Sequence, residues 1–134
     1  MFSDFPYWLA VNSFLGIGPL RFKVLLDYFG TAKKVWEAPE KELLKINLGE
    51  KLTKNFLVYR QTFDISSYLF RLKKLGGFAL TCEDENYPER LEQIDSPPPV
   101  IYVYSIQYTV YSMSIWGKFH DIASIILRFS NVVS

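Results

Sequence analysis

Tyr87-Pro88-Glu89-Arg90-Leu91, followed at a short distance by Pro97-Pro98-Pro99-Val100-Ile101-Tyr102-Val103, is the stretch that decides the fold. An acidic turn, Glu83-Asp84-Glu85-Asn86, leads into it. Pro88 to Ile94 reads as one or two helical turns. Asp95 to Pro99 cannot continue as helix, because three consecutive prolines favour an extended, polyproline-like path. Val100 to Val103 then has the β-branched and aromatic composition of a buried strand. This order normally delivers a chain into a parallel α/β sheet. Only 31 residues follow Val103, too few for such a sheet. The reading is therefore of the front part of a larger protein.

Upstream of the elbow, Phe78 to Thr81 is strand-like and the hydrophobic period changes at Gly76-Gly77. Everything before that point reads as helix. Tyr7, Trp8, Val11, Phe14 and Leu15 recur at three- and four-residue steps, which predicts a helix over Tyr7 to Leu15, with Pro6 tolerated in its first turn. Gly16-Ile17-Gly18 breaks it. Pro19 opens a second helix, where its missing N–H matters little, with Phe22, Leu25, Leu26 and Phe29 on one stripe. Gly30 is a stop signal and Thr31 a cap for a third helix, Ala32 to Glu37. Pro39 starts a fourth run containing Leu43, Leu44 and Ile46. Asn47-Leu48-Gly49 makes a turn. Leu52 to Leu75 is a long helical pattern with an expected break near Asp64 to Ser67, whose side chains compete for backbone hydrogen bonds. Lys73 and Lys74 suit a helix C-terminus.

Composition excludes several classes. Apolar residues make up 49% of 134, so a core is expected and wholesale disorder is not. The net charge of +1 is no general nucleic-acid signature, so any basic face must be local. Cys82 is the single cysteine, which rules out an intrachain disulfide and a cysteine-cluster zinc site and suits a reducing cytosol. No signal peptide and no run of 18 apolar residues is visible, so a cytoplasmic protein without a membrane partner is expected. Residues 1–103 hold 26 charged side chains and residues 104–134 hold three: Lys118, Asp121 and Arg128. Two readings of that fall stand side by side: a buried strand-rich segment, and a frameshifted end.

The one motif with chemistry is Gly16-Ile17-Gly18-Pro19 between two amphipathic helices, the hairpin of a helix-hairpin-helix. Glycines there permit positive φ and close approach, so N–H groups at the next helix N-terminus can hold a phosphate without reading a base. Ile17 is expected to pack inward, and Arg21 and Lys23 to add phosphate contacts. The candidate nucleic-acid-binding set is thus Gly16, Ile17, Gly18, Arg21 and Lys23. The plainer reading is that the glycines only allow a tight αα-turn. A second copy, Asn47-Leu48-Gly49-Glu50-Lys51-Leu52, carries an acid where a phosphate is unwelcome and reads as structural. Lys33, Lys34, Lys41, Lys45, Lys51 and Lys54 are spread among acids as on a solvated face. Glu83, Asp84 and Glu85 lack calcium-loop spacing and read as a solvated loop. His120 has no nucleophile partner, and Trp8, Trp36 and Trp116 read as core anchors. No catalytic residue, metal site or cofactor is expected.

The helix ending in Gly16-Ile17-Gly18-Pro19, then Leu25-Leu26-Asp27-Tyr28-Phe29-Gly30-Thr31-Ala32 and Val35-Trp36, resembles the N-terminal region of the DprA/Smf family of DNA-processing proteins. The likeness continues at Leu80-Thr81, Asp84, Tyr87-Pro88, Leu91, Ile94, Pro97-Pro98-Pro99 and Ile101-Tyr102-Val103, and so spans roughly residues 7–103. It implies an α+β, mainly α chain. Residues 1–76 form a helix-hairpin-helix or SAM-like bundle. Residues 77–103 form the opening strand-helix-strand of an incomplete Rossmann-like core, and residues 104–134 an atypical tail. It also implies a non-enzymatic protein that binds and protects incoming single-stranded DNA and loads a RecA-type recombinase in natural transformation. The family's strand site lies around a Gly-Ser-Arg-type motif in the core. No Gly-Ser-Arg occurs in this sequence, and Tyr104-Ser105-Ile106 stands where a glycine is expected. Strand binding is accordingly expected to be weak. Oligomeric state is left open. The competing reading is a helical protein-interaction module that docks through Leu20 and Val24 without DNA.

Overall fold

Pro19, Thr31, Pro39, Gly49 and Asp64 punctuate the chain, and the helices begin where these residues permit. The computed structural model describes residues 4–104. Helix α1 (Phe5–Ser13) is followed by α2 (Pro19–Phe29), α3 (Ala32–Trp36), α4 (Glu40–Lys45), α5 (Glu50–Thr62) and α6 (Ile65–Lys74). Strand β1 (Gly77–Thr81), the single turn α7 (Glu89–Glu92) and strand β2 (Val100–Tyr104) complete the described part.

The local signals work as their chemistry requires. Gly30 ends α2 at φ 92°, a left-handed value that a side chain resists. Thr31 accepts the Lys34 N–H at 3.1 Å and caps α3. The long pattern after Gly49 breaks at Phe63, which turns extended. Asp64 then starts α6 by accepting from Ser67 N at 3.2 Å and Ser67 Oγ at 2.9 Å. Asn47 and Gly49 both take positive φ, 63° and 89°, to make the turn between α4 and α5.

Two expectations are corrected. Leu15 was placed on the apolar stripe of the first helix. Phe14 turns extended at ψ 120°, so α1 stops at Ser13 and Leu15 stands 72% exposed. The elbow was expected to feed a parallel sheet. β1 and β2 pair antiparallel instead, from Gly77↔Tyr104 to Thr81↔Val100. A parallel return needs a crossover that runs back along the strand. The residues from Cys82 to Pro99 instead start and finish at the same end of the ribbon, with Thr81 paired to Val100, so the chain reverses and the strands run antiparallel. Cys82 N–H donates to Pro99 O at 2.9 Å and carries the ladder one step beyond the strands. Tyr87 Oη donates to Pro98 O at 2.7 Å and clasps the elbow. The tail expectations, with Trp116 and His120, lie outside the described residues.

The core is one apolar body shared by helices and strands. Trp8, Leu9, Ala10 and Val11 of α1 meet Phe22 and Leu25 of α2, Val35 and Trp36 of α3, Leu43 of α4 and Phe56 of α5, all buried. Trp8 and Trp36 are anchors as expected: Trp8 lies 5.0 Å from Phe22 and Trp36 5.6 Å from Phe56. Asp4 holds the start of α1 to α3. Its carboxylate accepts from Trp8 Nε1 at 2.9 Å, Lys33 N at 2.8 Å and Ala32 N at 3.3 Å. From Trp36 the aromatic contacts run through Phe63 and Tyr68 to Tyr102, whose hydroxyl bonds that of Tyr68 at 2.8 Å. The two strands are thereby fixed on the helices.

One buried group breaks the pattern. Thr53 is fully buried, and its Oγ1 has no hydrogen-bond partner among the described residues. Thr53→Val keeps the shape and removes the unpaired hydroxyl, so it should raise unfolding stability by ~1 kcal/mol in a denaturant titration. Burial also pushes the Tyr87 phenol up to about 12, with the neighbouring Cys82 and Glu92 charges adding to it. The folded chain therefore holds that proton more tightly than the unfolded chain. The contribution is complete below pH 10, the ordinary tyrosine value, and is lost as pH rises from 10 towards 12. Thermal melts across that window should fall for the parent. The fall should be shallower for Tyr87→Phe, which starts ~1 kcal/mol lower for want of the Pro98 bond.

Candidate nucleic-acid interface

The hairpin between α1 and α2 is built by packing rather than by backbone strain. Gly16 and Gly18 were expected to permit positive φ and close approach. Neither takes positive φ: Gly18 sits at φ −87°, and among the described residues the positive-φ glycines are Gly30, Gly49 and Gly76. Gly16 serves the close approach. A Cβ there would collide with Leu52 Cδ1 and stand 2.7 Å from the Phe14 ring. The second hairpin thus presses Leu52, from the first turn of α5, onto the first hairpin. Ile17 packs inward as expected, 3% exposed, with its N–H donating to Phe14 O at 3.2 Å.

Gly18 is the N-cap of α2 and supplies no side-chain cap. A Cβ on it would meet nothing within 4 Å, so the first turn opens to solvent. Pro19 has no N–H, and those of Leu20 and Arg21 lie in the turn that has no intrahelical partners. An eleven-residue helix places a partial positive charge there. Arg21 Nη1 donates to Gly16 O at 3.2 Å and holds its guanidinium over the hairpin. The structure thus gathers Gly16, Ile17, Gly18 and Arg21.

Lys23 does not join them. Two residues further round the helix, it pairs with Asp27 at 3.2 Å. It also lines a groove of about 600 Å³ between α2 and the proline elbow. Asp4, Asp27, Glu83, Glu92 and Asp95 line the same groove over an apolar floor of Trp8, Phe22 and Leu26. Five carboxylates against one ammonium make that side unfavourable for a phosphate chain. The groove was invisible in the sequence, because its walls are separated by the whole helical region. Cys82 lines it too, and burial raises its thiol above the ordinary range. That suits the packing role read from the sequence.

The second hairpin has the structural role expected of it. Leu48 is buried, and Glu50 stands in the first turn of α5, where an acid favours the helix dipole. No group of three or more metal-ligating side chains occurs among the described residues. No helix among them is long and apolar enough to cross a membrane. The two glycines should separate cleanly in mutagenesis. Gly16→Ala should lose ~1–3 kcal/mol of stability through the Leu52 and Phe14 clashes, and Gly18→Ala should stay within ~0.5 kcal/mol, as read from chemical denaturation.

No family model matches the chain. No solved structure matches it either. A curated relative does: Protein Smf of Synechocystis sp. (strain ATCC 27184 / PCC 6803 / Kazusa) is 31% identical over 101 residues, which is 75% of this chain. The chain spans 25% of that relative's length. On that identity, joined to the Gly-Ile-Gly-Pro hairpin and the Tyr-Pro to triple-proline elbow, this chain belongs to the DprA/Smf family.

Proposed function

We propose that this chain carries a mainly helical region of a DNA-processing protein, and that it touches nucleic acid through the first hairpin. The similarity to Smf over three-quarters of the chain carries the reading. Within it, residues 1–76 are a helix-hairpin-helix or SAM-like unit and residues 77–103 open a Rossmann-like core. The chain works in the cytoplasm as a binding module and not as an enzyme. The family's role is to bind and protect incoming single-stranded DNA and to load a RecA-type recombinase during natural transformation. That role belongs to the whole protein.

The contact we assign to these residues is with the nucleic-acid backbone. A phosphate seated at the open N-terminus of α2 takes N–H donors from Leu20 and Arg21 and charge from the Arg21 guanidinium. It reads no base. Lys23 contributes only by leaving Asp27. Leu20 and Val24, 68% and 50% exposed, favour the second reading, a protein-docking face. Salt separates the two, since phosphate contacts weaken steeply with it and apolar contacts do not.

Fluorescence anisotropy with a labelled oligothymidylate at rising salt tests the proposal. The parent should bind weakly and with steep salt dependence. Arg21→Ala should lower the salt slope by about one. Gly18→Asp should abolish binding while the chain stays folded, because its carboxylate enters open space, suits an N-cap and repels phosphate. Binding that ignores salt, or that is equal in all three proteins, refutes it.

A further inference from the structure

The groove of about 600 Å³ between α2 and the proline elbow carries a negative charge that its own residues leave uncompensated. Asp4 engages its carboxylate with Trp8 and the first N–H groups of α3, and Asp27 pairs with Lys23. Glu83, Glu92 and Asp95 remain. All three are exposed, and none makes an ion pair among the described residues. They stand on the connection between β1 and β2 and line the groove across from α2. That wall is poor in donors, since its Pro97 and Pro99 have no N–H. Each wall also shows an apolar side chain: Leu20 on α2 is 68% exposed and Ile94 beside the elbow 48%, above the buried floor of Trp8 and Phe22. A cleft with apolar walls focuses the field of the charges around it. The Cys82 thiol lies within that field: burial first, and then the Glu83 charge, push it up.

We infer that this groove is a docking site for a basic segment of a partner protein, a short stretch with an arginine and an apolar side chain next to it. The chemistry of the walls selects that occupant. They are rich in acceptors and poor in donors, and a guanidinium is five donors with no acceptor. It is also more weakly hydrated than an ammonium, and so leaves water for an apolar cleft more readily. The apolar neighbour covers Leu20 and Ile94. A bare metal ion fits poorly, because no three ligating side chains among the described residues come together to hold one. Nucleic acid is repelled by the same carboxylates that attract the arginine. The volume is that of a pocket for a drug-sized ligand, so a few residues of the partner enter and not a folded element. The inference stands apart from the nucleic-acid reading, which rests on Gly18 and Arg21 at the first hairpin.

Anisotropy of a labelled peptide of alternating arginine and leucine, titrated with the whole chain at physiological salt, reads the binding. The peptide should bind, and one with glutamate in place of each arginine should not. Glu83→Lys, Glu92→Lys and Asp95→Lys should each raise the dissociation constant about threefold or more, with an unchanged circular dichroism spectrum. Glu40→Lys makes the same change of charge on exposed α4, outside the groove, and should leave it where it was. Lys23→Gln removes an ammonium from the groove and releases Asp27, so it should tighten binding. Ile94→Ser should weaken it, which attraction between diffuse charges does not predict. Failure of the arginine-leucine peptide to bind overturns the inference. So does an equal loss in Glu40→Lys and the three groove variants, or binding indifferent to both Lys23→Gln and Ile94→Ser.

Discussion

The hydroxyl pair of Tyr68 and Tyr102 is the contact on which the arrangement of helices and strands depends. Both residues are buried, and Tyr102 is the largest side chain withdrawn entirely from water. A phenol in that setting loses stability unless its hydroxyl finds a partner. Each supplies the other's at 2.8 Å. That requirement fixes the height of β2 against α6, and β2 in turn fixes β1 through five paired positions. A two-stranded ribbon alone is marginal in water; packed on a helix it persists. The elbow serves the same end. Tyr87 binds the carbonyl of Pro98, so the chain reaches Val100 in the register the ladder needs.

The helical part is ordered by close approach and by one carboxylate. Gly16 leaves room for Leu52 and so lets two hairpins touch that stand far apart in sequence. Asp4 satisfies two backbone donors at the start of α3 and the indole of Trp8, and so joins three points of the chain. Ser13 does the same on the other side, donating to Ala10 O at 2.6 Å and bonding the Tyr59 hydroxyl at 2.7 Å. Surface ion pairs add little: Lys23–Asp27 and Lys45–Glu42 are exposed and close in sequence.

Electrostatics divides α2 into sides with different prospects. Its N-terminus, with open N–H donors and Arg21, suits an anion. The side facing the elbow, with five carboxylates, does not. A net charge of +1 conceals this division, because opposite charges gathered on separate faces cancel in the sum. The outward stripe of Leu20, Val24 and Tyr28 lies between the two and carries neither sign in excess.

Much of this was legible in the residues themselves. Helix starts and stops at Pro19, Gly30, Thr31, Pro39 and Asp64 are local chemistry, and the sequence alone determined them. So too was the inward packing of Ile17, since an isoleucine between two glycines in a turn has only the core to enter. Three things were decided only by the tertiary structure. Gly16 proved to be a contact glycine, because Leu52 arrives from another helix. Lys23 proved to belong to Asp27 and the acidic groove, because the elbow wall folds back from beyond residue 82. The strands proved antiparallel, because the connection leaves and re-enters the ribbon at the same end, where Cys82 N–H meets Pro99 O, and no local pattern records where its two ends meet. Sequence determines what each short segment prefers; which segments meet depends on contacts between residues far apart in the chain, and no local pattern records those.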